Sequence, residues 1–215
     1  MPVFPVKTPK IIQRLFSKYI WKKASSSKTI YLTFDDGPTP KITQWTLDIL
    51  KQYQAKATFF CIGQNIKKHP DIFKSIVEDK HTVGNHTFNH LKGWKTNTKT
   101  YIDNTDITQT LIDSKIKNRK SEIKHLFRPP FGKIKRKQAK ILINKGYKIV
   151  MWSVISYDWE QKLSPEQCLK NVLKHTTSGS IVVFHDSVKA SRNMQFALPK
   201  VLEHFSQKGY QFKAL

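Results

Sequence analysis

The stretch Thr29-Ile-Tyr-Leu-Thr-Phe-Asp-Asp-Gly-Pro38 decides the fold: an apolar, β-branched and aromatic run stops on two adjacent carboxylates and a Gly-Pro turn pair. A strand ending that way presents both acids at its tip. Helical spacing follows over residues 42–53, then a second β-type run over 57–62. Pro70 stands where a first helical turn accepts it, and Ile72, Phe73, Ile76 and Val77 give residues 71–80 a helical stripe. Thr82-Val83 opens a third strand. A polar helix is expected over 98–117, and a strand over 125–128 is halted by Pro129-Pro130. The same alternation continues with a helix over 136–144, a strand over 148–154, a helix over 165–175 and a strand over 181–184. A last helix over 196–207 is ended by Gly209, and a strand over 210–213 closes the series. Repeated strand-helix units argue for a parallel α/β sheet or barrel.

In either architecture chemistry sits where strands end and loops begin. Asp35, Asp36, His86, Arg128, Asp158 and His185 each fall at or near such a place. Location alone therefore does not separate a barrel from an open doubly wound sheet. Adjacent residues of an extended chain point opposite ways, so Asp35 and Asp36 are suited to different tasks, one toward a metal and one toward a water. A solvated Asp-Asp turn is the plainer alternative. His86-Thr-Phe-Asn-His90 spaces two imidazoles four apart, which on a helical turn puts both on one face, able to share a metal. His69, His81, His125, His175 and His204 match no ligand pattern and read as structural or exposed.

The chain has 215 residues, enough for one domain with a short appendage. With 39% hydrophobic and 12% aromatic residues it can build a packed core, which excludes a disordered chain. Lys and Arg number 38 against 15 Asp and Glu, a formal charge of +23 that calls for an anionic partner or surface without choosing among nucleic acid, membrane and acidic glycan. Between Lys115 and Lys148 only Glu122 is acidic, so this tract reads as a charged outer face or, more sharply, a polyanion groove. Cys61 and Cys168 read as small buried hydrophobes, not a disulfide framework. No apolar run suffices to span a bilayer, and no secretory leader stands at the start. The default address is the cytoplasm, or the cell envelope if a leader or another export route applies.

Residues 1–28 differ from the rest, with basic residues and no acid. Ile11, Ile12, Leu15, Phe16, Tyr19 and Ile20 recur at helical spacing beside Arg14, Lys18 and Lys22. A cap packed on one end of the barrel is the favoured reading, and a helix lying on an anionic membrane is the other.

Five segments in order resemble the polysaccharide deacetylases of carbohydrate esterase family 4. They are Thr33-Phe-Asp-Asp-Gly37, His86-Thr-Phe-Asn-His90, Arg128-Pro-Pro-Phe-Gly132, Asp158-Trp159 and Val183-Phe-His185, spread from Thr29 to the C-terminus. The resemblance implies a distorted, incomplete (β/α) barrel, seven-stranded and TIM-like, over residues 29–215. It implies a divalent metal, usually Zn2+ with Co2+, Ni2+ or Mn2+ as substitutes, on Asp36, His86 and His90. It assigns Asp35 as general base and His185 as general acid, oriented by Arg128 and Asp158 respectively. Phe131 would help bind the oxyanion through its N–H, with Pro130, Trp159 and Val183 along the substrate site. Where many members carry a further Asp, three residues before Asp158, this chain has Ile155.

The implied activity removes N-acetyl groups from an N-acetylglucosamine polysaccharide, peptidoglycan or chitin-type, by a monomer that needs no nucleic acid. An acetylxylan-type esterase is the alternative enzyme. An inactive basic module binding glycan or another polyanion is the alternative of a different class.

Overall fold

β1 (Thr29–Asp35) is buried along its whole length, as a central strand covered on both faces must be. In the computed structural model, which describes residues 5–24, 27–116 and 125–215, it lies between β2 (Ala57–Cys61) and β7 (Ile181–His185). The sheet order is β5-β4-β3-β2-β1-β7-β6, with β3 at Thr82–Asn85, β4 at Leu126–Phe127, β5 at Lys148–Ile149 and β6 at Val154–Ile155. Every pairing is parallel, and β8 (Gln211–Phe212) adds a short parallel ladder to the start of β1. Seven parallel strands curl into an incomplete barrel, which settles the choice left open by the sequence.

Alternation along the strands sorts the core into two clusters. Ile30, Leu32 and Phe34 pack with residues of the helices α2 (Ile42–Gln52), α4 (Pro70–Glu78), α7 (Pro165–His175) and α8 (Ser191–Gln207). Tyr31, Phe60, Ile181 and Val183 belong to a second cluster with Phe127, Ile149 and Trp152. Thr33 and Asp35 share the parity of Tyr31, and His185 that of Val183. In register Asp35 stands opposite both Phe60 and His185, so sheet pairing itself delivers a carboxylate and an imidazole side by side.

Helix ends follow local chemistry. Ser164 caps α7 through the Gln167 N–H, ahead of Pro165 in its first turn, and Asn97 caps α5 (Thr98–Lys115) through the Thr100 N–H. Pro70 opens α4 as expected, and α6 (Arg136–Asn144) has the expected bounds. Cys61 and Cys168 are buried and free. No helix of the described residues is long and apolar enough to cross a membrane.

Four expectations are corrected. The single strand over 148–154 is two strands, β5 and β6, on opposite edges of the sheet, because the chain must cross the open side of the barrel between them. α3 (Gly63–Lys68) went unanticipated, since its six residues bury only Gly63 and Ile66 and leave no readable stripe. The polar helix stops at Lys115; Lys117, and part of the basic tract after it, lie outside the described residues. In the N-terminal segment α1 (Lys10–Leu15) is six residues long, so Tyr19 and Ile20 are not on it.

That segment is stitched along the open side of the barrel. The N–H of Ile20 donates to the Ile149 carbonyl at 2.8 Å, and the Met151 N–H donates back to Ile20 at 2.8 Å. Thr8 N–H bonds the Ser153 carbonyl at 3.0 Å and Ile155 N–H bonds Val6 at 2.9 Å, while Trp21 is buried. α1, lying between these attachments, buries none of its residues.

Candidate active site

Arg128 follows β4 and is wholly buried. Its Nη1 donates to Asp35 Oδ1 and to Thr33 Oγ1, each at 2.7 Å, which is possible because residues two apart on β1 share a face. Nε and Nη2 bond the carbonyls of Val150 and Met151 at 3.2 and 2.9 Å, and the guanidinium lies 4.1 Å from the centre of the Phe60 ring. Every part of a buried cation is thus compensated, and Asp35 is fixed by it.

Asp36 takes a different course. Its φ of 80° breaks β1 and swings its side chain toward β3, and Asn65 holds its carbonyl at 2.7 Å. The divergence of the two aspartates therefore comes from this left-handed residue as well as from strand alternation. Gly37 permits the turn: a Cβ there would stand 2.0 Å from Asp186 Oδ2. Asp186 is buried, accepts from the Gly37 N–H at 3.1 Å and from the Thr43 hydroxyl, and burial pushes its pKa up to about 7. Asp186 was not singled out from the sequence; standing next to His185, it had no motif of its own.

His86 and His90 come together without a helix, a correction to the helical-turn expectation. Thr87 and His90 both have positive φ, 64° and 55°, and the loop folds back on itself. Asn85 accepts from the Thr87 N–H, Thr87 Oγ1 accepts from the Leu91 N–H, and Asn104 on α5 accepts from the N–H groups of Phe88 and Asn89. His86 Nδ1 sits 2.7 Å from the Arg128 carbonyl, which fixes Nδ1 as the donor and leaves Nε2 to the site. Burial lowers the His86 pKa to about 4, keeping the ring neutral.

These residues fit a divalent cation. One ligand atom from each of Asp36, His86 and His90 lies within 4.8 Å of the others. Asp36 Oδ1 is buried and takes no well-formed hydrogen bond among the described residues, though His90 Nε2 is 3.2 Å and His86 Nε2 3.7 Å away. Burial works against the Asp36 charge, yet the three surrounding histidines, His90 first, hold its pKa well below the usual carboxylate range. An anionic oxygen between two imidazole nitrogens, one neutral by burial, is a three-ligand set that leaves positions open.

Across the cleft Asp158 takes His185 twice, Oδ1 to Nδ1 at 2.8 Å and Oδ2 to the backbone N–H at 2.7 Å. Burial opposes protonation of His185, but the charge and hydrogen bond of Asp158, with Asp36 and Asp35 beyond, raise its pKa to about 9. Trp159 packs edge-on against His185 at 4.7 Å, and Phe131, with φ 58°, lies 4.6 Å from the His90 ring.

The cleft so formed has a volume of about 440 Å³, and Asp35, Asp36, His86, His90 and His185 all face it, with Phe131, Trp159 and Val183 on its walls. Arg128 and Asp158 lie buried behind. Pro130 is buried beside the cleft and not on its wall, where Pro129 and Gly132 stand instead. Ile155, noted in the sequence in place of a further Asp, also faces the cleft; so do Tyr157, Lys92 and Lys189, which carry no recognisable sequence signal.

The chain is similar to known proteins in sequence and in fold. A profile described as polysaccharide deacetylase matches residues 22–150 of the 215. A peptidoglycan-N-acetylglucosamine deacetylase of Bacillus cereus is 35% identical over 199 residues, 89% of this chain and 88% of its own. A peptidoglycan-N-acetylmuramic acid deacetylase of Bacillus subtilis is 29% identical over 215 residues, 98% of this chain and 80% of its own. The crystal structure of a peptidoglycan N-acetylglucosamine deacetylase in complex with 4-naphthalen-1-yl-N-oxidanyl-benzamide superposes with a TM-score of 0.85 at 32% identity, covering 92% of this chain and 91% of that one. With the profile, the relatives and the fold in agreement, the chain belongs to the polysaccharide deacetylase family.

Proposed function

We propose that the protein is a divalent-metal-dependent N-deacetylase of N-acetylglucosamine residues in peptidoglycan. The observation that carries this reading is the buried Oδ1 of Asp36 between His86 and His90, without a well-formed hydrogen bond among the described residues and flanked by a held carboxylate, Asp35, and a held imidazolium, His185. The names of the relatives, peptidoglycan deacetylases, support the polymer.

A divalent cation on Asp36, His86 and His90, zinc being the choice for one carboxylate and two imidazoles, supplies Lewis acidity toward a carbonyl and a water. The chain does the rest. Asp35, held in place by Arg128, removes the proton from the attacking water. The oxyanion that develops at the former carbonyl meets the N–H of Phe131, in a class of contact worth about 3 kcal/mol per donor. An amide nitrogen leaves only when protonated, and His185 holds a proton for it on Nε2 because Asp158 engages Nδ1. Phe131 and Trp159, both lining the cleft, offer the sugar apolar faces.

Acetate release from peptidoglycan fragments, chitin oligosaccharides and acetylated xylan, each with and without a chelator, tests the reading. Chelator-sensitive release, fastest on the peptidoglycan fragments, is expected. Release from xylan alone makes it an ester hydrolase, and no release from any glycan removes the enzyme.

A further inference from the structure

The N-terminal helix α1 packs Ile12 against the second core cluster but leaves its other two apolar side chains in solvent: Ile11 is 67% and Leu15 73% exposed, and the following Phe16 39%. Packing on the barrel accounts for Ile12 and leaves Ile11 and Leu15 unexplained. Lys10, Arg14 and Lys18, all exposed, alternate with them, and the first 28 residues contain no acid.

The pattern continues onto the barrel. Leu15, Phe16 and Lys18 line one side of a groove of about 510 Å³ whose other side is α6, where Ile143 is half-buried and Arg136 and Lys140 are exposed. No acidic residue lines it. The surface thus combines exposed apolar side chains with exposed cations, Lys18 and Arg136 among them, drawn from two segments far apart in sequence.

We infer that α1 and the adjoining face of α6 form a docking surface for an anionic phospholipid bilayer. Two observations select this occupant. A hydrophilic polyanion satisfies Lys18, Arg136 and Lys140 but gives Ile11 and Leu15 nothing to bury against. A second copy of this chain brings the same excess of positive charge, +23 on each. An anionic bilayer interface accepts apolar side chains below the headgroups and cations at their level. The inference does not rest on the deacetylase reading, since none of these residues faces the cleft.

Co-sedimentation of the full chain with vesicles tests it, comparing phosphatidylcholine alone with phosphatidylcholine containing about 30% phosphatidylglycerol. Binding to the anionic vesicles only is expected. Ile11→Ser with Leu15→Ser should weaken it roughly tenfold or more by removing buried apolar area, and Arg136→Gln with Lys140→Gln roughly tenfold or more by removing two charges. Both variants should keep the wild-type rate on a soluble substrate and the wild-type melting temperature, since all four side chains are exposed. Wild-type protein left in the supernatant with anionic vesicles overturns the inference. So does undiminished binding of the Ile11→Ser, Leu15→Ser variant, which reduces the surface to simple charge adhesion.

Discussion

Asp158 holds His185 by both of its oxygens, one on the imidazole Nδ1 at 2.8 Å and one on the backbone N–H at 2.7 Å. The carboxylate therefore sets the position, tautomer and charge of the ring together. Asp158→Asn keeps an acceptor for the backbone N–H but reverses or weakens the bond to Nδ1. We expect kcat to fall by a factor of about 10² to 10⁴, the range for a mispositioned acid-base group, with zinc affinity unchanged. The pH profile distinguishes this from structural damage. As the proposed general acid His185 acts when protonated, and its pKa is raised to about 9, so activity should persist to alkaline pH and decline as pH rises through that region. In the variant the alkaline limb should move toward neutral pH.

Arg128 makes a second prediction, on stability. Its replacement by Met leaves Asp35, Thr33 and the carbonyls of Val150 and Met151 without their donor inside the protein. Loss of about 3 to 5 kcal/mol is expected from urea unfolding, the usual consequence of breaking a buried pair from one side. Asp35→Asn retains a neutral acceptor for the guanidinium but leaves its buried charge without a counter-ion, so it should lose turnover and also some stability, less than Arg128→Met loses. An Arg128→Met variant as stable as wild type would show that the guanidinium does not carry the packing assigned to it.

The metal set predicts a thermal signature independent of catalysis. Zinc should raise the melting temperature of the wild type, since a ligand bound only by the folded state adds RT ln(1 + [L]/Kd) to stability. Asp36→Ala removes the one anionic ligand and should abolish that rise together with activity. Chelation should return the wild type to its metal-free melting temperature, and added zinc should restore it. A zinc-induced rise that survives in Asp36→Ala places the ion elsewhere.

His81 governs a fourth expectation, at acid pH. Its Nδ1 accepts the Ala57 N–H at 3.1 Å, and burial, aided by Lys56, lowers its pKa from 6.5 to about 4. The folded protein thus keeps the ring neutral at a pH where the unfolded chain protonates it. Stability from this site is full above pH 6.5 and is lost as pH falls toward 4, by up to about 3 kcal/mol. His81→Asn retains an acceptor without the titration, so its urea midpoints at pH 7 and pH 4.5 should differ less than those of the wild type.

The parallel alternation was legible because β1, β2 and β7 are apolar runs bounded by turn residues, and Asp35 and His185 could be placed at strand tips on that basis. The tautomer of His86 and the burial of Asp186 could not. They depend on Arg128 and Gly37, distant in sequence and adjacent only once the sheet curls. His86 and His90 were paired by spacing, but the fold unites them by two left-handed residues and the amide of Asn104, a long-range device that a four-residue interval does not encode. The break between β5 and β6 was hidden for a similar reason: residues 149–152 are an unbroken apolar run that Val154 and Ile155 resume after Ser153, and only the two edges of an unclosed barrel tell them apart.

The strip of chain lying along that open side has a reach beyond closing it. Ile20 accepts from the Met151 N–H, Met151 in turn gives its carbonyl to Arg128, and Arg128 holds Asp35. Four residues, starting outside the sheet and ending at the cleft, therefore share one continuous relay of backbone and guanidinium bonds. A nick or displacement near Ile20 is felt as slack in a carboxylate that the N-terminal segment never touches, so the rigidity of the proposed base is set in part by the seam at its back.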